Sequence, residues 1–176
     1  MSDDHTIDIF SQPTLEAKVR TLDELVSIRE ALRADGRTVV TNNGSYDLLH
    51  VGHVVSLHQA AAVGDVLMVG VNSDASVRAY KGAHRPVNPQ EHRLRMLAAL
   101  GCVDYVFAFD EETPIAFLER LAPDVHTNGA EYGADCIERD TVERNGGRVH
   151  LLPIVEGVRT TTLIERIHRA FIDAPS

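Results

Sequence analysis

From Arg37 onward, short apolar runs alternate with stretches in which apolar positions recur at helical spacing. That rhythm predicts parallel strands joined by crossover helices. Strands are expected near 38–42, 65–71, 104–109, 123–127 and 148–152, and helices near 51–63, 89–100, 114–121, 134–145 and 161–171. Runs such as Val66-Leu67-Met68-Val69-Gly70-Val71 are apolar on both faces, as strands covered by helices on both sides must be. The fold class that follows is α/β, a doubly wound, parallel, five-stranded sheet. Ligands of such sheets sit beyond the carboxyl ends of the strands, where the strand order reverses. The loops after the first, second, fourth and fifth strands are therefore the places to search.

Ahead of this pattern, residues 1 to 13 read as a loose tail ending at Pro13. Thr21-Leu22-Asp23-Glu24 then forms a capping box for an amphipathic helix that Gly36 ends. The expected organisation is an N-terminal tail and helix over 1–36 and one catalytic domain over 37–172, without repeats or a linker. Acidic residues outnumber basic ones by 26 to 17, for a formal net charge of −9. This argues against a broad electrostatic grip on nucleic acid, so any phosphate site must be local. Cys102 and Cys136 belong to no metal-ligand pair, and a structural zinc wants four ligands, so reduced thiols and no protein-held metal are expected. The acidic segment Met1 to Ile9 lacks the basic n-region and apolar stretch of a signal peptide, and no apolar run approaches a membrane span. A cytoplasmic protein with no membrane partner is expected.

Candidate chemistry collects in the expected loops. His50-Val51-Gly52-His53 follows a strand and the turn containing Asn43, Gly44, Tyr46 and Asp47, and it opens a helix. A helix start offers unpaired N–H groups and a positive dipole end, and two histidines three residues apart share one face of its first turn. Gly52 is expected to leave a phosphate room to approach. The spacing alone fits two packed or exposed histidines equally well; its place between strand and helix selects a site for nucleoside triphosphate phosphates. A second loop runs from Asn72 and Asp74 through Arg78, Lys81-Gly82 and Arg85-Pro86 to Asn88. It gathers cations in an acidic chain, reads either as an anion site or as a solvated surface loop, and its Gly82 and Pro86 suggest opening and closing. Arg93 starts the next helix, either as a cation reaching back over a triphosphate or as a surface salt bridge. Asn128-Gly129-Ala130-Glu131-Tyr132 is a turn at the right end of the sheet to meet a base or sugar. Arg159-Thr160-Thr161 leads into the last helix, where the hydroxyls cap it, hold phosphate, or do both.

Taken in order over residues 37 to 169, these pieces resemble the cytidylyltransferase-like nucleotidyltransferase superfamily, whose signature is His-x-Gly-His and whose fold is the Rossmann-like HIGH type. Within it the likeness is greatest to the D-glycero-β-D-manno-heptose 1-phosphate adenylyltransferases. It is carried by Asn43-Gly44-x-x-Asp47-Leu48-Leu49-His50-x-Gly52-His53, Val71-Asn72-Ser73-Asp74-Ala75-Ser76-Val77-Arg78, Lys81-Gly82-x-x-Arg85-Pro86-Val87-Asn88 and Leu97-Ala98-Ala99-Leu100-Gly101-Cys102-Val103-Asp104. The resemblance implies that the sugar phosphate attacks the α-phosphorus of ATP, releasing pyrophosphate and forming ADP-heptose for lipopolysaccharide or related glycans. It implies catalytic roles for His50, His53, Lys81 and Arg93. Nucleotide contacts would come from Asn43, Gly44, Tyr46, Asp47, Gly52, Asn128, Gly129, Glu131, Thr160 and Thr161, and substrate contacts from Asn72, Asp74, Arg85 and Arg159. Magnesium would arrive with the nucleotide, and a homodimer is expected.

Two departures bear on the substrate. The heptose enzymes usually show Lys-Gly-Gly-Asp-Tyr where this chain has Asn128-Gly129-Ala130-Glu131-Tyr132, and Ser-Thr-Thr where it has Arg159-Thr160-Thr161. Arg159 is expected to restore the charge lost at Asn128. Many members carry a sugar kinase domain on the same chain, for which 176 residues leave no room, so a separate kinase and phosphatase are expected to supply the sugar phosphate. Two alternatives stand beside this reading. A cytidylyltransferase for glycerol 3-phosphate or another sugar or alcohol phosphate typically carries Arg-Thr-Glu-Gly where this chain has Ile154-Val155-Glu156-Gly157. A non-catalytic nucleotide-binding module would not need His50, His53 and Lys81.

Overall fold

The computed structural model describes residues 13–133, 135–155 and 157–171, so nearly all of the expected N-terminal tail lies outside the described residues. Helices α1 (Pro13–Glu16) and α2 (Leu22–Ala34) precede strand β1 (Val39–Gly44). Helix α3 (Val51–Ala61) leads to β2 (Val66–Asn72), and α4 (Asp74–Lys81) and α5 (Gln90–Ala98) lead to β3 (Tyr105–Phe109). Helix α6 (Ile115–Leu121), β4 (Val125–Gly129), a 3-10 turn (Ala130–Tyr132), α7 (Arg139–Arg144), β5 (Arg148–Leu152) and α8 (Thr160–Phe171) complete the order.

The five strands form one parallel sheet in the order β3-β2-β1-β4-β5. Alternate residues feed opposite faces. Val40, Leu67, Val69 and Val71 pack with Leu57 and Ala60 of α3 and Leu94 and Leu97 of α5. Val39, Val66, Met68 and Phe107 pack with Leu25 of α2, Phe117, Leu118 and Leu121 of α6 and Val142 of α7. The doubly wound α/β sheet read from the apolar runs is the observed fold.

Where the order reverses, the sheet opens. β1 pairs with β2 along all six of its residues, from Val39 to Gly44, but with β4 only at Val40 and Thr41. Beyond that point Asn42 reaches across through its side-chain amide, which donates to the Thr127 carbonyl at 3.0 Å and to Thr127 Oγ1 at 2.9 Å. The parting of β1 from β4 creates the crevice that this topology predicts.

Local sequence sets most boundaries. The Thr21–Glu24 capping box is present in both directions, at 2.7 and 3.3 Å, and Gly36 takes the positive φ of +70° that follows the helix end. Lys18 and Arg20 pair with Val106 on the outer edge of β3, which shields that edge from pairing with another chain. One expectation needs correction. Residues 72–88 are not one long loop, because Ser73 caps α4 by accepting from the Ser76 amide at 3.2 Å, and Gly82 at φ +94° ends it. Only Ser76 and Val77 of that helix are buried beside its polar surface, so it leaves a weak apolar pattern. The helix expected over 134–145 is also shorter, Arg139–Arg144. Among the described residues, no helix is long and apolar enough to cross a membrane.

Candidate active site

The α3 start is built by its two histidines. His50 is the N-cap in extended conformation; its Nδ1 accepts from the His53 amide, and His53 Nδ1 accepts from the His50 amide, both at 3.4 Å. The rings stack with centroids 3.8 Å apart and 17° between planes. An imidazole nitrogen that accepts an amide hydrogen carries no proton, so each neutral ring bears its proton on Nε2. Burial, then the neighbouring His50 and Lys81, depress the His53 pKa to about 4, and burial depresses that of His50. Both rings are thus neutral Nε2–H donors at neutral pH. A ring-nitrogen NMR titration of the free protein should show His53 neutral down to about pH 5; an ordinary midpoint near 6.5 would remove this assignment.

Gly52 is a close-packed position. A Cβ there would lie 3.0 Å from the His50 ring and 3.4 Å from the Val158 carbonyl, so the absent side chain makes room for that ring and for the approach to α8. The same contact brings the N-terminus of α8 beside that of α3. Thr160 opens α8, Arg159 precedes it and is exposed, and neither they nor Thr161 line the central cleft.

That cleft, about 430 Å³, sits at the parted ends of β1 and β4. It gathers His53, Lys81, Asn43, Gly44, Tyr46, Asn72, Asn128, Gly129 and Glu131 of the expected residues. Lys81 belongs to the last turn of α4 and already reaches the cleft, its ammonium donating to Ser45 Oγ at 2.8 Å. Tyr46 adopts φ +47°, sparsely populated for a residue with a side chain. Its hydroxyl donates to Asn42 Oδ1 and its ring meets His53 edge-on at 5.2 Å. Burial raises its pKa and keeps it protonated.

Four expected residues, Asp47, Asp74, Arg85 and Arg93, serve the walls and are absent from the cavity lining. Asp47, 1% exposed, accepts from Arg85 Nε, from the Val87 amide at 2.7 Å and from the Asn88 amide at 2.9 Å. These bonds outweigh its burial and hold its pKa below the usual carboxylate range. Arg85 is thereby turned to Asp47. Arg93 is fully buried and donates to the Asn88 carbonyl at 3.0 Å, Ser45 at 2.6 Å, Asn72 at 2.8 Å and Asp74 Oδ1 at 2.7 Å. Its guanidinium is committed to these walls, which also occupies Asp74, so the expected reach over a triphosphate gives way to a positioning role.

A cytidylyltransferase-like family model matches residues 42–172. The chain belongs to the cytidylyltransferase-like family. It is 49% identical over 157 residues to the bifunctional protein HldE of Geobacter sulfurreducens, covering 89% of this chain and 32% of the relative. To the bifunctional protein HldE of Geobacter metallireducens it is 47% identical over 163 residues, covering 92% and 33%. The chain therefore spans about a third of the length of these curated relatives. Among solved structures it resembles a lipopolysaccharide core biosynthesis protein from Thermoplasma volcanium, with 27% identity, a TM-score of 0.56, and 68% of this chain and 98% of that one covered. Pantoate-beta-alanine ligase from Francisella tularensis, at 16% identity, TM-score 0.50 and coverage of 77% and 66%, shares the fold. This cytidylyltransferase-like chain is a nucleotidyltransferase enzyme.

Several cleft residues of this cytidylyltransferase-like chain escape sequence reasoning. Ser45 and Asn42 lie inside the recognised first loop, but nothing in their type announces a partner for Lys81 or a bridge to β4. Tyr80 sits beside Lys81, and Glu112 and Thr113 follow β3, whose loop is not adjacent to the reversal point. Glu138 falls where a helix body is expected and instead lines the cleft.

Proposed function

We propose that this chain transfers AMP from ATP to D-glycero-β-D-manno-heptose 1-phosphate, giving ADP-heptose and pyrophosphate. The observation that carries the reading is the convergence, in one cleft where the strand order reverses, of the α3 N-terminus, the His53 ring and the Lys81 ammonium. These groups suit a triphosphate, and in this reading the His53 Nε2–H and the Lys81 ammonium meet the negative charge that grows during attack at the α-phosphorus. A sugar phosphate is already an anionic nucleophile, so positioning and charge stabilisation matter more than a general base. A His53 ring kept neutral by burial is a weak base and a ready donor, which accords with that demand. The HldE relatives and the lipopolysaccharide core biosynthesis protein support the choice of a heptose phosphate as substrate.

Magnesium belongs to the reading as the nucleotide's companion, where it neutralises phosphate charge. Among the described residues no cluster of three or more His, Cys, Asp or Glu is placed to hold a metal, and the Asp47 carboxylate beside the first loop is taken up by Arg85, Val87 and Asn88. In this reading the ion is held mainly by phosphate oxygens. A homodimer and a cytoplasmic location form part of the same proposal; sedimentation velocity measures the first.

The deciding experiment measures pyrophosphate release while crossing ATP, CTP and GTP with heptose 1-phosphates and glycerol 3-phosphate. ATP with the β-anomeric heptose phosphate should turn over fastest. Turnover confined to CTP and glycerol 3-phosphate selects the cytidylyltransferase alternative, and nucleotide binding without release for any pair selects the non-catalytic module.

A further inference from the structure

One wall of the cleft, formed by Asn128, Gly129, Glu131, Tyr132, Ile137 and Glu138, carries a buried carboxylate that none of the roles above uses. Glu138 is 7% exposed and lines the cavity. Asn128 Nδ2 donates to its Oε2 at 3.3 Å, while Asn128 Oδ1 accepts from the Gly129 amide at 3.1 Å. The Cys136 thiol lies near it, and burial, then that carboxylate, raise the thiol's pKa. Among the described residues these side-chain neighbours are neutral. A carboxylate withdrawn from water is costly unless donors surround it, and an ionised one can only accept. Glu138 is therefore placed to accept from a ligand that brings hydrogen-bond donors. A phosphate brings none and repels it.

The same wall exposes two large side chains inside the cleft, Tyr132 at 64% and Ile137 at 62%. Exposed aromatic and aliphatic surfaces on one wall suit a planar heteroaromatic ring. An acceptor-only carboxylate and an apolar wall together distinguish this part of the cleft from the part held by Lys81 and His53. At position 128 the resembling heptose enzymes usually carry lysine, whereas here the asparagine amide is engaged by Glu138.

We propose that Glu138 is a specificity-determining residue that accepts a hydrogen bond from the nucleoside half of the triphosphate, whose base lies against Tyr132 and Ile137. The donor is either a ribose hydroxyl or an exocyclic amino group of the base. The assignment rests on the nucleotidyltransferase reading for the presence of a triphosphate in this cleft.

Calorimetric titration of the full chain with ATP, 2′-deoxy-ATP and inosine triphosphate tests it. Glu138→Gln keeps the side chain's shape, removes its charge and should weaken ATP binding about tenfold or more, the usual consequence of losing a charge-assisted hydrogen bond. Glu138→Ala should lose at least as much. One analogue, the one lacking the donor, should bind the wild type weakly and lose nothing further on substitution. Insensitivity of 2′-deoxy-ATP assigns the ribose hydroxyl, and insensitivity of inosine triphosphate assigns the amino group. Affinities of both variants within twofold of wild type for all three nucleotides overturn the proposal, as do equal losses for all three. Pyrophosphate release separates this result from the reaction itself. If the wild type binds ATP and turns over no acceptor, the proposed reaction falls while the Glu138 titrations still decide this assignment. A wild type that binds no nucleotide overturns both.

Discussion

Replacing His53 by alanine should lower kcat about 10²–10³-fold, the usual loss when one preorganised donor to a developing negative charge is removed. The Nε2–H of this ring is fixed by its Nδ1, which accepts the His50 amide, and by the stack on the His50 ring at 3.8 Å. That preorganisation confines the loss mainly to kcat, because the donor is matched to charge that grows only during transfer. The substitution also removes one reciprocal cap of α3, typically worth about 1 kcal/mol, which is too little to explain such a rate loss through unfolding. His50→Ala withdraws the other cap and the stacking partner, so the two rings act as one unit and their effects should not multiply. Single-turnover measurement of pyrophosphate release checks both points. A kcat within about tenfold of wild type for His53→Ala, or full multiplicativity in the double variant, would contradict the shared-donor arrangement.

The contrast between these histidines and Arg93 shows where sequence reading stops. Strand positions are legible because a sheet covered on both faces needs apolar runs such as Val66 to Val71, and the Thr21 box announces α2 through backbone chemistry within four residues. His50 and His53 are legible for the same reason, since their spacing fixes their relation on one helical turn. The partner of a cation is not local. Lys81 and Arg93 are both basic residues near the second loop, yet one ends on Ser45 Oγ in the cleft and the other is sunk among Asn72, Asp74, Asn88 and the Ser45 carbonyl. Those partners lie 19 to 48 residues away along the chain, except Asn88. Asp47 meets Arg85 and Val87 over similar separations. Only the fold decides which charges face a ligand and which hold the walls. Glu138 is not legible in the sequence for a related reason, because it immediately precedes a helix much shorter than the one its surroundings predict.

The wall network makes a second large effect expected, this time on stability. Arg93→Ala should destabilise the protein by about 3–5 kcal/mol, since removing one partner of a buried ionic and hydrogen-bonded group leaves the others unpaired. Three backbone carbonyls, of Ser45, Asn72 and Asn88, lose their guanidinium donor at once, and Asp74 loses its cation. Such a loss is a large part of the net stability of a domain. Arg93→Lys keeps the charge but offers three donors on one atom in place of a planar fork, so it cannot span the same four acceptors. It should fold with an intermediate loss and show a functional signature as well. The Ser45 carbonyl is held by Arg93 while the Ser45 hydroxyl receives Lys81, so loosening the first unsettles the second. Arg93→Lys should therefore depress kcat in the same direction as Lys81→Ala, though less deeply, and a wall element with no tie to the reacting centre would leave kcat unchanged. Urea denaturation gives the stability and steady-state pyrophosphate release gives the rate. A loss below about 1 kcal/mol for Arg93→Ala would show that the four acceptors find other donors, and the guanidinium would then not be what keeps the first and second loops together.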